Sequence, residues 1–217
     1  YNYCYNKYKN SMDIITADGG FDFSVDFNEQ ECISSKLIFS ETIYAISLQK
    51  KGGTFILKLF DIFTSFSSDI IYLLNSLYSN VYIYKPDTSR LANSERYLIC
   101  MNFKYDNSDF FYNLFKNSFI EINKYKYIER IFDFDIPLYF KSKLEEINSI
   151  IGLQQIENLQ LTISLIKNKN KNNKLENLKN NNIKKCIKWC QKNNIPHNSK
   201  ISNVNIFLTK NKETNIG

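Results

Sequence analysis

Nine residues, 86–94, make up most of the gap between two β-rich runs at 81–84 and 96–103. A connection that returns a strand parallel to its predecessor needs a dozen or more residues, usually a helix. The nine carry no apolar period, so these two strands are predicted to be antiparallel neighbours. Everything before them alternates differently. A short β-rich run at 13–17 stops at Asp18-Gly19-Gly20, a strand followed by a turn. From 29 to 51, Ile33, Leu37, Tyr44, Ala45 and Leu48 recur at helical spacing, and Lys50-Lys51 followed by glycines predicts the helix end there. Residues 54–60 are almost continuously apolar, the pattern of a strand covered on both faces. Ser65 or Ser67 can cap a second helix, with Ile70, Ile71, Leu74 and Leu77 on its stripe, before the strand broken by Pro86. The predicted fold class is therefore α/β, with a parallel sheet ending in one antiparallel strand.

Downstream of 104 the pattern is mainly helical. Residues 109–117, 138–151 and 156–166 carry helical spacing, and 183–193 form a short amphipathic helix. The Lys/Asn-rich stretch 167–182 reads as a loop or linker. This divides the chain into 1–104, a helical extension at 105–166 packed on it, the loop at 167–182, and a short helix with tail at 183–217.

Composition closes off several classes. With 217 residues and 43% hydrophobic content the chain can bury a sizeable core. No apolar run reaches the roughly 20 residues that span a bilayer, and the first nine residues lack a signal-peptide core, so no membrane partner is expected. Five scattered cysteines, an odd number, read as reduced thiols of an intracellular protein. Cys186 and Cys190 with His197 are too few for a structural zinc site, and no metal is expected. The single histidine leaves little support for a histidine base. The net charge of +6 suits a nucleic acid, although Lys/Asn-rich composition alone does not establish one.

Ligands of open α/β sheets bind beyond the carboxyl ends of the parallel strands. Asp18 ends its strand at that edge, Lys58 lies late in 54–60, and Glu95 starts the antiparallel strand, which places it on the same edge. A lysine within Phe55-Ile56-Leu57-Lys58-Leu59-Phe60 is subject to opposed influences: burial disfavours its charge and flanking carboxylates favour it. Such opposition is common where protons are handled. Spacing alone also admits a structural ion pair at Lys58, a turn aspartate at Asp18 and an exposed edge residue at Glu95.

At these residues the sequence resembles a known family. Ala17-Asp18-Gly19-Gly20-Phe21, the stretch from Gly52 to Asp61, and Lys85-Pro86-Asp87-Thr88-Ser89-Arg90-Leu91-Ala92-Asn93-Ser94-Glu95-Arg96-Tyr97 are similar to the FtsJ-like RNA ribose 2′-O-methyltransferases, above all to the mRNA cap-1 enzymes of eukaryotes and large DNA viruses. The similarity runs over about residues 13–104. It implies the C-terminal half of a Rossmann-like methyltransferase sheet followed by a mainly helical extension.

The family's Lys-Asp-Lys-Glu tetrad maps its aspartate onto Asp18, its second lysine onto Lys58 and its glutamate onto Glu95. The first lysine and the glycine-rich cofactor loop have no counterpart in the 217 residues. The resemblance thus implies that the upstream half of the same domain is a partner and that the isolated fragment is inactive. It further implies S-adenosylmethionine as cofactor with Asp18 near it, Arg90, Asn93 and Ser94 as RNA contacts, and capped mRNA as substrate. The reaction implied is displacement at a sulfonium methyl by a ribose 2′-oxygen, Lys58 helping to deprotonate the hydroxyl. The expected location is cytoplasmic for a large DNA virus and nuclear otherwise. Two alternatives stay open: an rRNA or tRNA 2′-O-methyltransferase, and a non-catalytic RNA-binding or stimulatory subunit.

Overall fold

A computed structural model describes residues 1–21, 28–167 and 172–198. The chain divides into two compact units, 1–163 and 164–217. In chain order the elements are α1 (Asn2–Tyr8), β1 (Met12–Ala17), α2 (Gln30–Leu48), β2 (Gln49–Leu59), α3 (Ser65–Leu77), β3 (Tyr78–Tyr84), β4 (Arg96–Phe103), α4 (Asp109–Glu121), a 3₁₀ turn (Ile122–Lys124), α5 (Leu138–Lys167) and α6 (Asn172–Lys192). No described helix is long and apolar enough to cross a membrane.

The four strands form one sheet in the order β1-β2-β4-β3. β1 and β2 are parallel, while β4 is antiparallel to both β2 and β3. The short connection of 86–94 thus has the predicted consequence. β4 inserts between β2 and β3, so its first residues lie beside the last residues of β2: Lys58 pairs with Tyr97 and Leu59 with Arg96.

One face of the sheet is closed by α2 and α3. Phe55, Leu57, Leu59, Leu98 and Cys100 point into that core and meet Ile43, Ile46, Ile70 and Leu74. The opposite face is only partly covered, with Ile56, Lys58 and Ile99 of intermediate burial. The expectation that 54–60 is covered on both faces is therefore corrected. An apolar run reports average hydrophobicity and cannot distinguish two covered faces from one.

The ends of the elements differ from the sequence reading in instructive places. Helix α2 stops at Leu48, and Lys50, Lys51, Gly52 and Gly53 belong to the strand instead. Between Met12 and Ile14 of β1 the register advances from Gln49 to Thr54 of β2, a bulge that consumes the extra residues. Gly52 lies there with φ +78°, a conformation that glycine adopts without steric cost. The glycines thus serve a bulge rather than a helix end. Helix α3 is capped by Thr64, whose side chain accepts from the Ser67 amide at 3.2 Å, and not by Ser65 or Ser67. Glu31 of α2 secures this turn by accepting from the Thr64 amide, the Thr64 hydroxyl and the Ser67 hydroxyl.

The segments at 138–151 and 156–166 are one helix, α5. Leu144 is buried, and Asn148 donates to the Ile62 carbonyl at 2.9 Å. The Lys/Asn stretch expected as a loop is helical from Asn172 onward, merging with the predicted short helix into α6. Lysine, leucine and glutamate favour helix, and Lys179 pairs with Glu176 at 3.2 Å, three residues apart. Composition obscured a period that continues through Leu175, Leu178 and Ile183. The predicted tail beyond 198 lies outside the described residues.

Candidate active site

The carboxyl edge of the sheet brings together Asp18, Lys58 and Glu95. Lys58 Nζ lies 2.6 Å from Asp18 Oδ1, and its side chain is only 17% exposed, against 65% for Asp18. It also donates to the Asp18 carbonyl at 3.4 Å. Alternation explains its placement: Leu57 and Leu59 enter the core, so Lys58 must face the other way, toward the open side of the sheet. The turn that carries Asp18 is itself held. Gly19 donates its amide to Glu41 Oε1 on α2 at 3.0 Å. A Cβ on Gly19 would meet that oxygen at 2.5 Å and Leu37 Cδ2 at 2.9 Å, so a larger residue would push the Glu41 and Leu37 side-chain ends aside. Burial raises the Glu41 pKa, opposed by the Gly19 amide and by Lys58.

Glu95 makes no ion pair with Lys58 among the described residues; a web of neutral donors holds it. Tyr97 Oη donates to Oε1 at 2.7 Å, and Ser89 Oγ and Asn93 Nδ2 donate to Oε2 at 3.1 and 3.2 Å. The Tyr97 bond first, then those from Ser89 and Asn93 and the charge of Lys58, lower its pKa against the cost of burial. The edge is thus asymmetric. Asp18 touches Lys58 directly, whereas Glu95 acts on it through the electric field.

The loop residues predicted to contact RNA have different positions. Arg90 is exposed, with no side-chain hydrogen bond or ion pair among the described residues. Asn93 is half-buried and engaged with Glu95 and with Lys85. Ser94 is buried; burial raises the Asp61 pKa, and the Arg96 charge and the Ser94 hydroxyl hold it down. Beside it Arg96, 1% exposed, donates to the Ser94 carbonyl and to Asn148 of α5, and pairs with Asp61 at 3.5 Å.

Sequence reasoning missed Glu41, Lys85 and Tyr97. Tyr97 was legible, since it lies two residues beyond Glu95 and therefore on the same face of the strand. Glu41 and Lys85 carried no local signal, because their partners are 22 and 8 to 10 residues away across turns. Among the described residues, no group of three His, Cys, Asp or Glu is placed to hold a metal ion.

Residues 2–103, which carry this half-open sheet and its edge, match the FtsJ-like methyltransferase family. Three curated relatives are particular: each is a cap-specific mRNA (nucleoside-2′-O-)-methyltransferase 1. That of Leishmania braziliensis is 48% identical over 95 residues, 42% of this chain and 23% of the relative. The mouse protein is 37% identical over 133 residues, 61% of this chain and 16% of its own length. The human protein is 41% identical over 99 residues, 46% and 12% respectively. The chain spans about a quarter or less of the length of these relatives. A crystal structure of a ribosomal RNA methyltransferase from Plasmodium falciparum overlays with 26% identity over 42% of this chain and 47% of that one, at a TM-score of 0.35, too low to bear on the fold.

Proposed function

We propose that this chain carries the catalytic edge of an RNA ribose 2′-O-methyltransferase that uses S-adenosylmethionine and acts on the first transcribed nucleotide of capped mRNA. The observation that carries the reading is the shielded Lys58 Nζ at 2.6 Å from Asp18 Oδ1, on the edge that also holds Glu95. The likeness to cap-specific 2′-O-methyltransferases supports the substrate.

The residues present fit a sulfonium methyl donor. Asp18 offers an exposed carboxylate, which suits a cation. When bound, S-adenosylmethionine supplies an electrophilic methyl group. The chain's own part is to prepare the nucleophile. Lys58, in its amine form, accepts the proton of the 2′-hydroxyl and holds the oxygen in place. Asp18 fixes Nζ by direct contact, and Glu95 keeps a second negative charge nearby for the protonated amine that results. Proton transfer of this kind contributes about 10²–10⁴-fold, and alignment of the reacting atoms adds to it. Arg90 is the loop residue free to meet a phosphate, where a guanidinium positions the strand without reading its sequence.

The test is methyl transfer by the full-length protein to capped RNA, read as 2′-O-methylated nucleoside. Lys58→Ala should lower it by about 10²–10⁴-fold, and Lys58→Arg should fail nearly as badly, because a guanidinium stays protonated. Turnover near the unmodified level in Lys58→Arg would remove proton acceptance from the mechanism. Equal transfer to capped and uncapped RNA would remove the cap from the substrate.

A further inference from the structure

Lys85 ends the stretch between β3 and Pro86, and the edge chemistry above leaves it without a role. An ammonium has three N–H donors. All three are spent on the loop that delivers Glu95: Nζ donates to the Asn93 carbonyl at 2.9 Å, to Asn93 Oδ1 at 3.0 Å and to the Glu95 carbonyl at 2.9 Å. No donor is left for a phosphate, so in this conformation Lys85 is not an RNA contact.

The geometry instead acts through Asn93. Lysine is donor-only, so the Asn93 amide must present its oxygen to Lys85, and its nitrogen then faces the other way. That nitrogen donates to Glu95 Oε2 at 3.2 Å, joining Ser89 Oγ at 3.1 Å on the same oxygen. The Glu95 backbone is held by the same ammonium. We infer that Lys85 is a positioning residue for methyl transfer: it locks the Asn93 amide and the Glu95 main chain so that the Glu95 carboxylate is presented to Lys58. This rests on the reading of the edge as a methyl-transfer site.

Burial and the nearby Arg96 charge lower the Lys85 pKa, while Glu95 and Asp61 oppose them. A half-buried cation beside a guanidinium is a costly way to close a loop, and three convergent donors on one atom are what the site gains by it.

Lys85→Met and Lys85→Gln in the full-length protein test this through two readouts. The first, carboxyl ¹³C NMR of Glu95, needs no substrate. Its titration midpoint should rise in both variants, because Asn93 and Ser89 no longer hold the ionised form. The second is steady-state methyl transfer, where kcat should fall by about a hundredfold, the scale of a misplacement of about 1 Å, with KM for RNA little changed. A lower melting temperature with an unmoved Glu95 midpoint and an unmoved kcat would make Lys85 a mere tether and overturn the inference. Should neither variant fold, Asn93→Leu breaks the relay one step later and must raise the Glu95 midpoint as well. An unmoved midpoint there overturns it too. The methyl-transfer reading fails separately, if Lys58→Ala keeps its activity.

Discussion

The two faces of the sheet are built from the same strands and serve opposite ends. On the helix-covered face Phe55, Leu57, Leu59, Leu98 and Cys100 have almost no exposure, and their burial holds the unit together. On the other, Ile14 is 68% exposed, and Tyr82, Tyr84 and Met101 are also exposed. Cross-strand rows on this open face run Thr16–Ile56–Ile99–Tyr82 and, at the carboxyl edge, Lys58–Tyr97–Tyr84. A strand cannot turn one residue without turning all of them, so the core that fixes Leu57 and Leu59 inward also fixes Lys58 outward. Chemistry here depends on packing through alternation, not through contact.

The sharpest way to break this contrast is to exchange the effects of adjacent residues. Lys58→Ala should cost methyl transfer about 10²–10⁴-fold and leave the melting temperature nearly unchanged. Leu57→Ala should do the reverse in kind: a loss of about 2–5 kcal/mol in denaturant unfolding, the usual cost of a large-to-small core change. A Leu57 variant of normal stability would mean that the covered face is not the core.

A smaller effect is expected at Tyr97. Tyr97→Phe removes the 2.7 Å bond that does most to lower the Glu95 pKa. A carboxylate depressed on folding adds stability above its unfolded pKa, and that stability is lost as pH falls through the folded pKa. With the depression relieved, the variant should lose less stability than the unmodified protein between neutral and acidic pH. Identical acid-unfolding profiles would assign Glu95's environment to other groups.

The smallest effects belong to the open periphery. Arg90→Ala should weaken RNA binding and reduce the slope of log K against log salt by about 0.7–0.9, the loss of one phosphate contact. Tyr82→Ala, on the open face, should alter stability by no more than about 0.5 kcal/mol. An unchanged salt slope would leave Arg90 without a phosphate.

The boundary between what was legible and what was not follows the range of the forces involved. The antiparallel β3–β4 pair came from counting nine residues, and the shared edge of Asp18, Lys58 and Glu95 followed from strand direction alone. Both are consequences of chain geometry, which a sequence carries intact. The motifs then attached a chemistry to the edge. By contrast, Thr64 as the cap of α3, the bulge at Gly52 and the helical run of α6 were misread, because competing local signals sat within a few residues of each other.

By itself, then, the sequence determined which residues share the edge: strand period and connection length allow little else. The tertiary structure alone decided how each is held. Asp18 meets Lys58 directly, Glu41 grips the turn from α2, and Lys85, Asn93, Ser89 and Tyr97 enclose Glu95. These bonds depend on turn conformations that place donors within about 3 Å of an acceptor. No periodicity encodes such a distance, since it is set by the packing of helices and loops around the sheet.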